Sequence, residues 1–121
     1  MKVLLVDDER ELVSAMAERL TIRGIEADWV STGSEALELA DRETYDVAVL
    51  DVKMPVMSGL ELMKEMERKN PDLKFIFLTG HGSEKDFQTY MAEEGTSFYL
   101  VKPIRIEELI AKIHAALGMK E

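Results

Sequence analysis

The sequence predicts a doubly wound α/β domain, a five-stranded parallel sheet with five helices shared between its faces. Three observations point there. Short, continuously apolar runs recur along the 121 residues, as strands buried on both faces require. Segments with apolar residues at helical spacing alternate with those runs. Four of the runs also stop on a polar residue: Val3-Leu4-Leu5-Val6 at Asp7-Asp8, Val47-Ala48-Val49-Leu50 at Asp51, Phe75-Ile76-Phe77-Leu78 at Thr79, and Tyr99-Leu100-Val101 at Lys102-Pro103.

The first strand is expected over residues 2–6, and the helix after it carries Leu12, Met16 and Leu20 on one stripe, with Gly24 to close it. Asp8 followed by Glu11 has the pattern of a helix cap with its capping-box partner. A second strand over 26–30 leads into a short helix from about Ser34 to Asp41. The third strand, 46–50, delivers Asp51. Gly59, Leu62, Met63 and Met66 then mark a third helix in which Gly59 allows close packing and Asn70-Pro71 forces an end. After a fourth strand over 74–78, the helix from about Ser83 to Glu94 offers just Phe87, Tyr90 and Met91 as an apolar stripe, so low packing energy and high mobility are expected of it. The fifth strand covers 98–101, and the last helix sets Ile106, Leu109, Ile110, Ile113 and Leu117 on one stripe with Gly118 as its stop.

A hydrophobic content of 46% is enough for one core, and neither a repeat nor a linker interrupts the pattern, so one domain over 1–121 is expected. The formal charge of −9 repels phosphate backbones and argues against direct nucleic-acid binding by this domain. No apolar run approaches the roughly 20 residues that a membrane-spanning helix needs. With no cleavable signal and no cysteine, the cytoplasm is the expected location.

Right-handed crossovers bring the carboxyl ends of all strands to one edge, and the flavodoxin-like strand order 2-1-3-4-5 puts a ligand site at its switch point. Asp7, Asp8, Asp51, Thr79 and Lys102 would meet there. Each alone has an ordinary explanation as a cap, a turn, a strand residue or a surface lysine; jointly, their order and position at strand ends argue for a site. Crowded carboxylates disfavour one another's charged forms. A hard divalent cation relieves that, Mg²⁺ first and Mn²⁺ as the alternative, whereas the lack of a nearby His or Cys disfavours zinc. With the charge offset, Asp51 can act as a nucleophile toward phosphorus, Lys102 supplying a point charge and Thr79 a hydroxyl donor.

The acidic pair Asp7-Asp8, the string Asp51 through Gly59 with Met54-Pro55 and Met57, Thr79-Gly80, Gly95 and Tyr99-Leu100-Val101-Lys102-Pro103 together resemble the receiver domains of two-component response regulators over essentially the whole chain. The resemblance implies that Asp51 accepts a phosphoryl group from a histidine kinase or histidine phosphotransfer protein. It implies Mg²⁺ held directly by Asp8, Asp51 and the Lys53 backbone carbonyl, with Asp7 acting through water. Thr79 and Lys102 would meet the phosphoryl group, Tyr99 would follow Thr79 inward, and the Lys102–Pro103 peptide would be cis. The face made by the fourth helix, the fifth strand and the last helix would then dock an output protein or an effector domain outside this sequence, and a phosphorylation-dependent homodimer is a further option. Strand alternation favours Tyr99 over Phe98 as the switch aromatic. Lys53 and His81, two residues beyond Asp51 and Thr79, are candidates for tuning the lifetime of the phosphorylated state; solvent-facing loop roles are the alternative.

Competing functions fit less well. A haloacid-dehalogenase-type phosphatase needs a second Asp two residues after its nucleophile as general acid, and that position is Lys53. Self-phosphorylation with slow hydrolysis, not enzyme turnover, is therefore expected. A nucleotide- or flavin-binding module needs a Gly-rich or hydroxyl-rich loop after the first strand, and Asp7-Asp8-Glu9-Arg10 would repel phosphate there. A non-phosphorylated interaction module leaves the acids, Thr79 and Lys102 without a reason.

Overall fold

The computed structural model describes residues 1–80 and 98–118. Strands β1 (Lys2–Val6), β2 (Glu26–Val30), β3 (Val47–Asp51), β4 (Lys74–Thr79) and β5 (Tyr99–Val101) form one parallel sheet in the expected order β2-β1-β3-β4-β5. Helices α1 (Arg10–Ile22), α2 (Gly33–Arg42) and α3 (Gly59–Lys69) and the C-terminal helix (Ile106–Ala116) cover it. The helix expected from about Ser83 to Glu94 lies outside the described residues, as does His81. No helix among the described residues is long and apolar enough to cross a membrane.

The pleat sorts the core into two layers, because alternate strand residues point to opposite faces. Val3, Leu5, Val47, Val49, Ile76, Leu78 and Leu100 meet Val13, Met16 and Leu20 of α1 and Leu109 and Ile113 of the C-terminal helix. Leu4, Val6, Ala48, Leu50, Phe75 and Phe77 meet Ala36 of α2 and Leu62 and Met66 of α3. Every residue of β3 is buried, which is why that strand reads as an unbroken apolar run. Phe98 packs in the first layer and Tyr99 in the second, so the two aromatics do face opposite ways.

Two local expectations are corrected. The third strand runs Val47–Asp51, not 46–50: Asp51 still pairs with Leu78 on β4, whereas Asp46 stands just before the strand, its carboxylate accepting the Lys2 backbone N–H at 2.7 Å. The Asp8–Glu11 capping box does not form: the N-cap of α1 is Glu9, with no side-chain cap. Asp7 Oδ1 instead accepts the Glu9 N–H at 2.9 Å, which makes the turn into α1 and leaves Asp8 to join the acids at the sheet edge. A true capping box lies at α3, where Ser58 and Glu61 satisfy each other's backbone N–H groups. Gly24 and Gly118, at φ 84° and 71°, end α1 and the C-terminal helix as expected.

Candidate functional site

The register builds the site. Val6 pairs with Leu50, so the next residues, Asp7 just past β1 and Asp51 at the end of β3, stand side by side at the carboxyl edge. Thr79 pairs with Val101, and the Lys102 N–H donates to Thr79 O at 2.8 Å, which brings Lys102 to the same edge. Four of the residues expected at the edge are thus fixed by strand pairing alone. Asp8 completes the set: one carboxylate oxygen each from Asp7, Asp8 and Asp51 lies within 4.8 Å of the others.

Burial divides these groups. Asp7, Asp51 and Thr79 are the buried polar residues of the described chain, at 0%, 5% and 0% exposure, whereas Asp8 faces solvent. Lys102 Nζ stands 3.0 Å from Asp7 Oδ2 and 3.7 Å from Asp51 Oδ2, and its shortest contact, 2.6 Å, is to Glu9 Oε1. One ammonium therefore serves three carboxylates. Burial, the Asp7 charge and the hydrogen bond with Asp8 push the Asp51 carboxyl up to about 7, against the opposing pull of Lys102 and the Lys53 N–H. Burial likewise raises Asp7. For Lys102, burial pulls downward, but hydrogen bonds and charges from Glu9, Asp7 and Asp51 prevail and hold it above its ordinary value. Asp7 Oδ2 is buried and, despite its closeness to the ammonium, accepts no well-aligned hydrogen bond among the described residues.

Hard oxygen donors, two of them buried, with excess negative charge and one unsatisfied oxygen, make a set that suits Mg²⁺ in chemistry. Lys53 is exposed, and its N–H lies 3.4 Å from Asp51 Oδ1. Thr79 Oγ1 donates weakly, at 3.5 Å, to Leu100 O. Tyr99 is half-buried on the same sheet face as Thr79, since its pairing partner Phe77 is two residues before Thr79 on β4. The Lys102–Pro103 peptide is cis.

The loop after Asp51 is held tightly. Gly59 N–H donates to Val52 O at 3.0 Å, and a Cβ at Gly59 would stand 2.3 Å from Asp51 O, so the start of α3 can rest on the Asp51 backbone because this residue has no side chain. Within the loop, Met57 N–H donates to Pro55 O at 2.7 Å, closing a three-residue turn that drives the fully exposed Val56 to φ 70°. Glu9 is the site residue that sequence reasoning passed over. It was legible as a third acid in Asp7-Asp8-Glu9, but nothing in the spacing says that its carboxylate turns back to Lys102.

Comparison with known proteins agrees with this geometry. The chain matches the response regulator receiver domain family over residues 3–114. It is 40% identical over 116 residues to the transcriptional regulatory protein CpxR of Escherichia coli (strain K12), covering 96% of this chain and 49% of that protein. It is 35% identical over 117 residues to the response regulator MprA of Mycobacterium leprae (strain TN), covering 97% and 51%. The chain thus spans about half the length of these curated relatives. Among solved structures, a response regulator receiver domain protein from Clostridium thermocellum superposes with a TM-score of 0.86 at 32% identity, covering 97% of this chain and 94% of the other. The response regulator TrrA of Thermotoga maritima, solved in complex with Mg²⁺-BeF, superposes with a TM-score of 0.80 at 32% identity, covering 95% and 97%. With its parallel sheet, its acids at the carboxyl edge and a family match along nearly its full length, this chain belongs to the receiver domains of two-component response regulators.

Proposed function

We propose that residues 1–121 form one receiver domain that works as a phosphorylation-dependent switch, with Asp51 as the phosphoacceptor and a histidine kinase or histidine phosphotransfer protein as donor. The observation that carries this reading is the buried Asp51 carboxylate, crowded by Asp7 and Asp8, held near neutral pKa, and faced by one lysine. Such a group is a poor structural element and a good nucleophile once its surplus charge is offset.

A Mg²⁺ ion held by Asp8, Asp51 and the Lys53 carbonyl, with Asp7 acting through water, would supply the positive charge that offsets both the carboxylates and the incoming phosphoryl oxygens. Asp51 then attacks phosphorus through one carboxylate oxygen. The bond from phosphorus to the donor nitrogen breaks, its electron pair stays on that nitrogen, and an acyl phosphate forms on Asp51. Lys102 pairs with the new negative charge, and Thr79 exchanges its weak 3.5 Å bond to Leu100 O for a phosphoryl oxygen. Tyr99 shares the sheet face of Thr79, so that movement can bias its rotamer and the surface beside β5. Lys53 and His81 would set how readily water reaches the acyl phosphate. The output is an effector domain or partner protein, with homodimerisation as one route. The domain itself grips neither nucleic acid nor membrane, and it acts in the cytoplasm.

Mass measurement after exposure to acetyl phosphate and Mg²⁺ tests the reading. One phosphoryl adduct is expected, lost in Asp51→Asn and lost with a chelator. An adduct that persists in Asp51→Asn overturns the assignment, and many turnovers on a generic phosphate ester would favour a phosphatase instead.

A further inference from the structure

The geometry points to Glu9 as a positioning residue: a resting counter-ion that holds the Lys102 ammonium away from Asp51 and must release it before the phosphoryl group can be paired. This rests on the reading of Asp51 as phosphoacceptor and Lys102 as its charge partner.

Three observations carry it. Lys102 Nζ contacts Glu9 Oε1 at 2.6 Å, in hydrogen-bond geometry, but stands 3.7 Å from Asp51 Oδ2, beyond hydrogen-bond reach. In the resting state the lysine therefore belongs to Glu9 more than to the acid it is meant to serve. The backbone of Glu9 is fixed to the site, since its N–H donates to Asp7 Oδ1 at 2.9 Å, so the carboxylate cannot drift far from Lys102. The side chain itself is 59% exposed and, at the N-cap of α1, makes no capping bond, which leaves water ready to replace the lysine when it leaves.

Fixed backbone and wetted side chain together make a latch that opens cheaply. Asp7 cannot play this part: its side chain is 1% exposed, and losing its ammonium would leave a buried charge without a partner. An exposed pair of the Glu9 kind is weak, so the resting contact slows the reaction without blocking it. Charge alone does not define the role, because Glu11, one residue past the start of α1, carries the same charge on the first turn and is not among the acids that pair with Lys102, which are Asp7, Glu9 and Asp51.

The test compares Glu9→Gln, Glu9→Asp and Glu11→Gln by two readouts at matched ionic strength. The first is the rate of adduct formation on Asp51 with acetyl phosphate and saturating Mg²⁺. The latch predicts about a two- to five-fold rise for Glu9→Gln, the range a weak exposed pair allows. Glu9→Asp should match it although the charge remains, because the shorter chain loses the contact, and Glu11→Gln should leave the rate unchanged. Equal effects from Glu9→Gln and Glu11→Gln, or a wild-type rate in Glu9→Asp, overturn the proposal in favour of bulk charge. The second readout is the nitrogen and proton NMR signal of the Lys102 ammonium in the metal-free protein, which needs no phosphorylation. It should move in both Glu9 variants and stay put in Glu11→Gln. If it is indifferent to Glu9, the latch does not exist. If it responds while wild type forms no adduct, the contact stands and the phosphoacceptor reading falls.

Discussion

At the amino ends of the strands, Lys2 pairs with Glu43 at 2.9 Å and Glu26 at 3.5 Å, its backbone N–H is taken by Asp46, and Tyr45 donates to Asp28 at 2.7 Å while Lys2 lies over its ring. At the carboxyl ends, Asp7, Glu9 and Asp51 compete for Lys102, and a buried oxygen of Asp7 is left without a proper hydrogen bond. Both ends are acidic. The first distributes its acids over several donors, mostly in reach of water, where charge costs little. The second concentrates them under cover, where each ionised group raises the next. One end is complete once the chain has folded; the other is completed by something that brings positive charge.

The backbone offers the hardest way to break the carboxyl end. Gly59→Ala would drive a Cβ to 2.3 Å from Asp51 O and 3.1 Å from Val52 Cα, contacts that no side-chain rotation relieves. The start of α3 or the Asp51 backbone must shift, and a loss of about 2–4 kcal/mol in unfolding free energy is expected. Denaturant unfolding measures it. A loss below about 0.5 kcal/mol, the ordinary range for harmless substitutions, would mean that α3 does not rest on Asp51.

Charge sharpens the comparison with the opposite sign. Burial, together with the charge of Asp7, raises the Asp51 pKa from 3.8 to about 7 in the folded chain, so the folded state holds that proton more tightly than the unfolded one. The associated stability is fully present below the unfolded value and is lost as pH climbs through the folded one. Metal-free protein should accordingly weaken between about pH 4 and pH 7, with Asp7, also raised, adding in the same direction. Asp51→Asn should remove most of that slope and stabilise the metal-free protein at pH 8 by about 1–3 kcal/mol. Added Mg²⁺ should stabilise the wild type at pH 8 and do much less for the variant. A metal-free wild type that keeps its full stability from pH 4 to 8 would show that the acids are not in conflict.

This contrast also explains what the amino-acid sequence could disclose. Strands β1 and β2 lie where they were expected, β4 and β5 differ by a residue at one end and β3 by a residue at each; β1 and β3 were the plainest to read because continuous burial writes a continuous apolar string, whereas β2, half-exposed, carries Glu26 and Asp28. The site acids were legible because a carboxylate after such a string has few structural reasons to be there. Asp8 misled as a helix cap: Asp8–Glu11 and Ser58–Glu61 share one spacing pattern, and which of them caps depends on where the preceding strand releases the chain. Glu9 was legible as an acid but not as a partner of Lys102, since that contact joins residues 93 apart in sequence. The amino-end network left no trace either. Lys2, Asp28, Tyr45 and Asp46 are ordinary residues in ordinary places, and their mutual satisfaction is visible when the strands are paired.

That network yields the smallest of these effects. Tyr45 is 3% exposed and packs in the second layer, so its ring contributes through burial, and its hydroxyl contributes through Asp28 alone. Burial and the Asp28 hydrogen bond together keep the phenol protonated far into alkali. Tyr45→Phe preserves the ring and removes one hydrogen bond. Asp28 reaches water and can rehydrate, so the cost should fall to the low end for a single bond to a charged group, about 1–2 kcal/mol, and be independent of Mg²⁺. Its independence from Mg²⁺ is the sharper half of the expectation. The two sheet ends share β1 and β3 but no side chain, and substitutions without common partners add. Combining Tyr45→Phe with Asp51→Asn should therefore give the sum of the two effects on stability within about 0.5 kcal/mol, measured metal-free at pH 8. A larger deviation would mean that strain at the carboxyl edge travels down β1 and β3, and that the amino-end network is poised against the site.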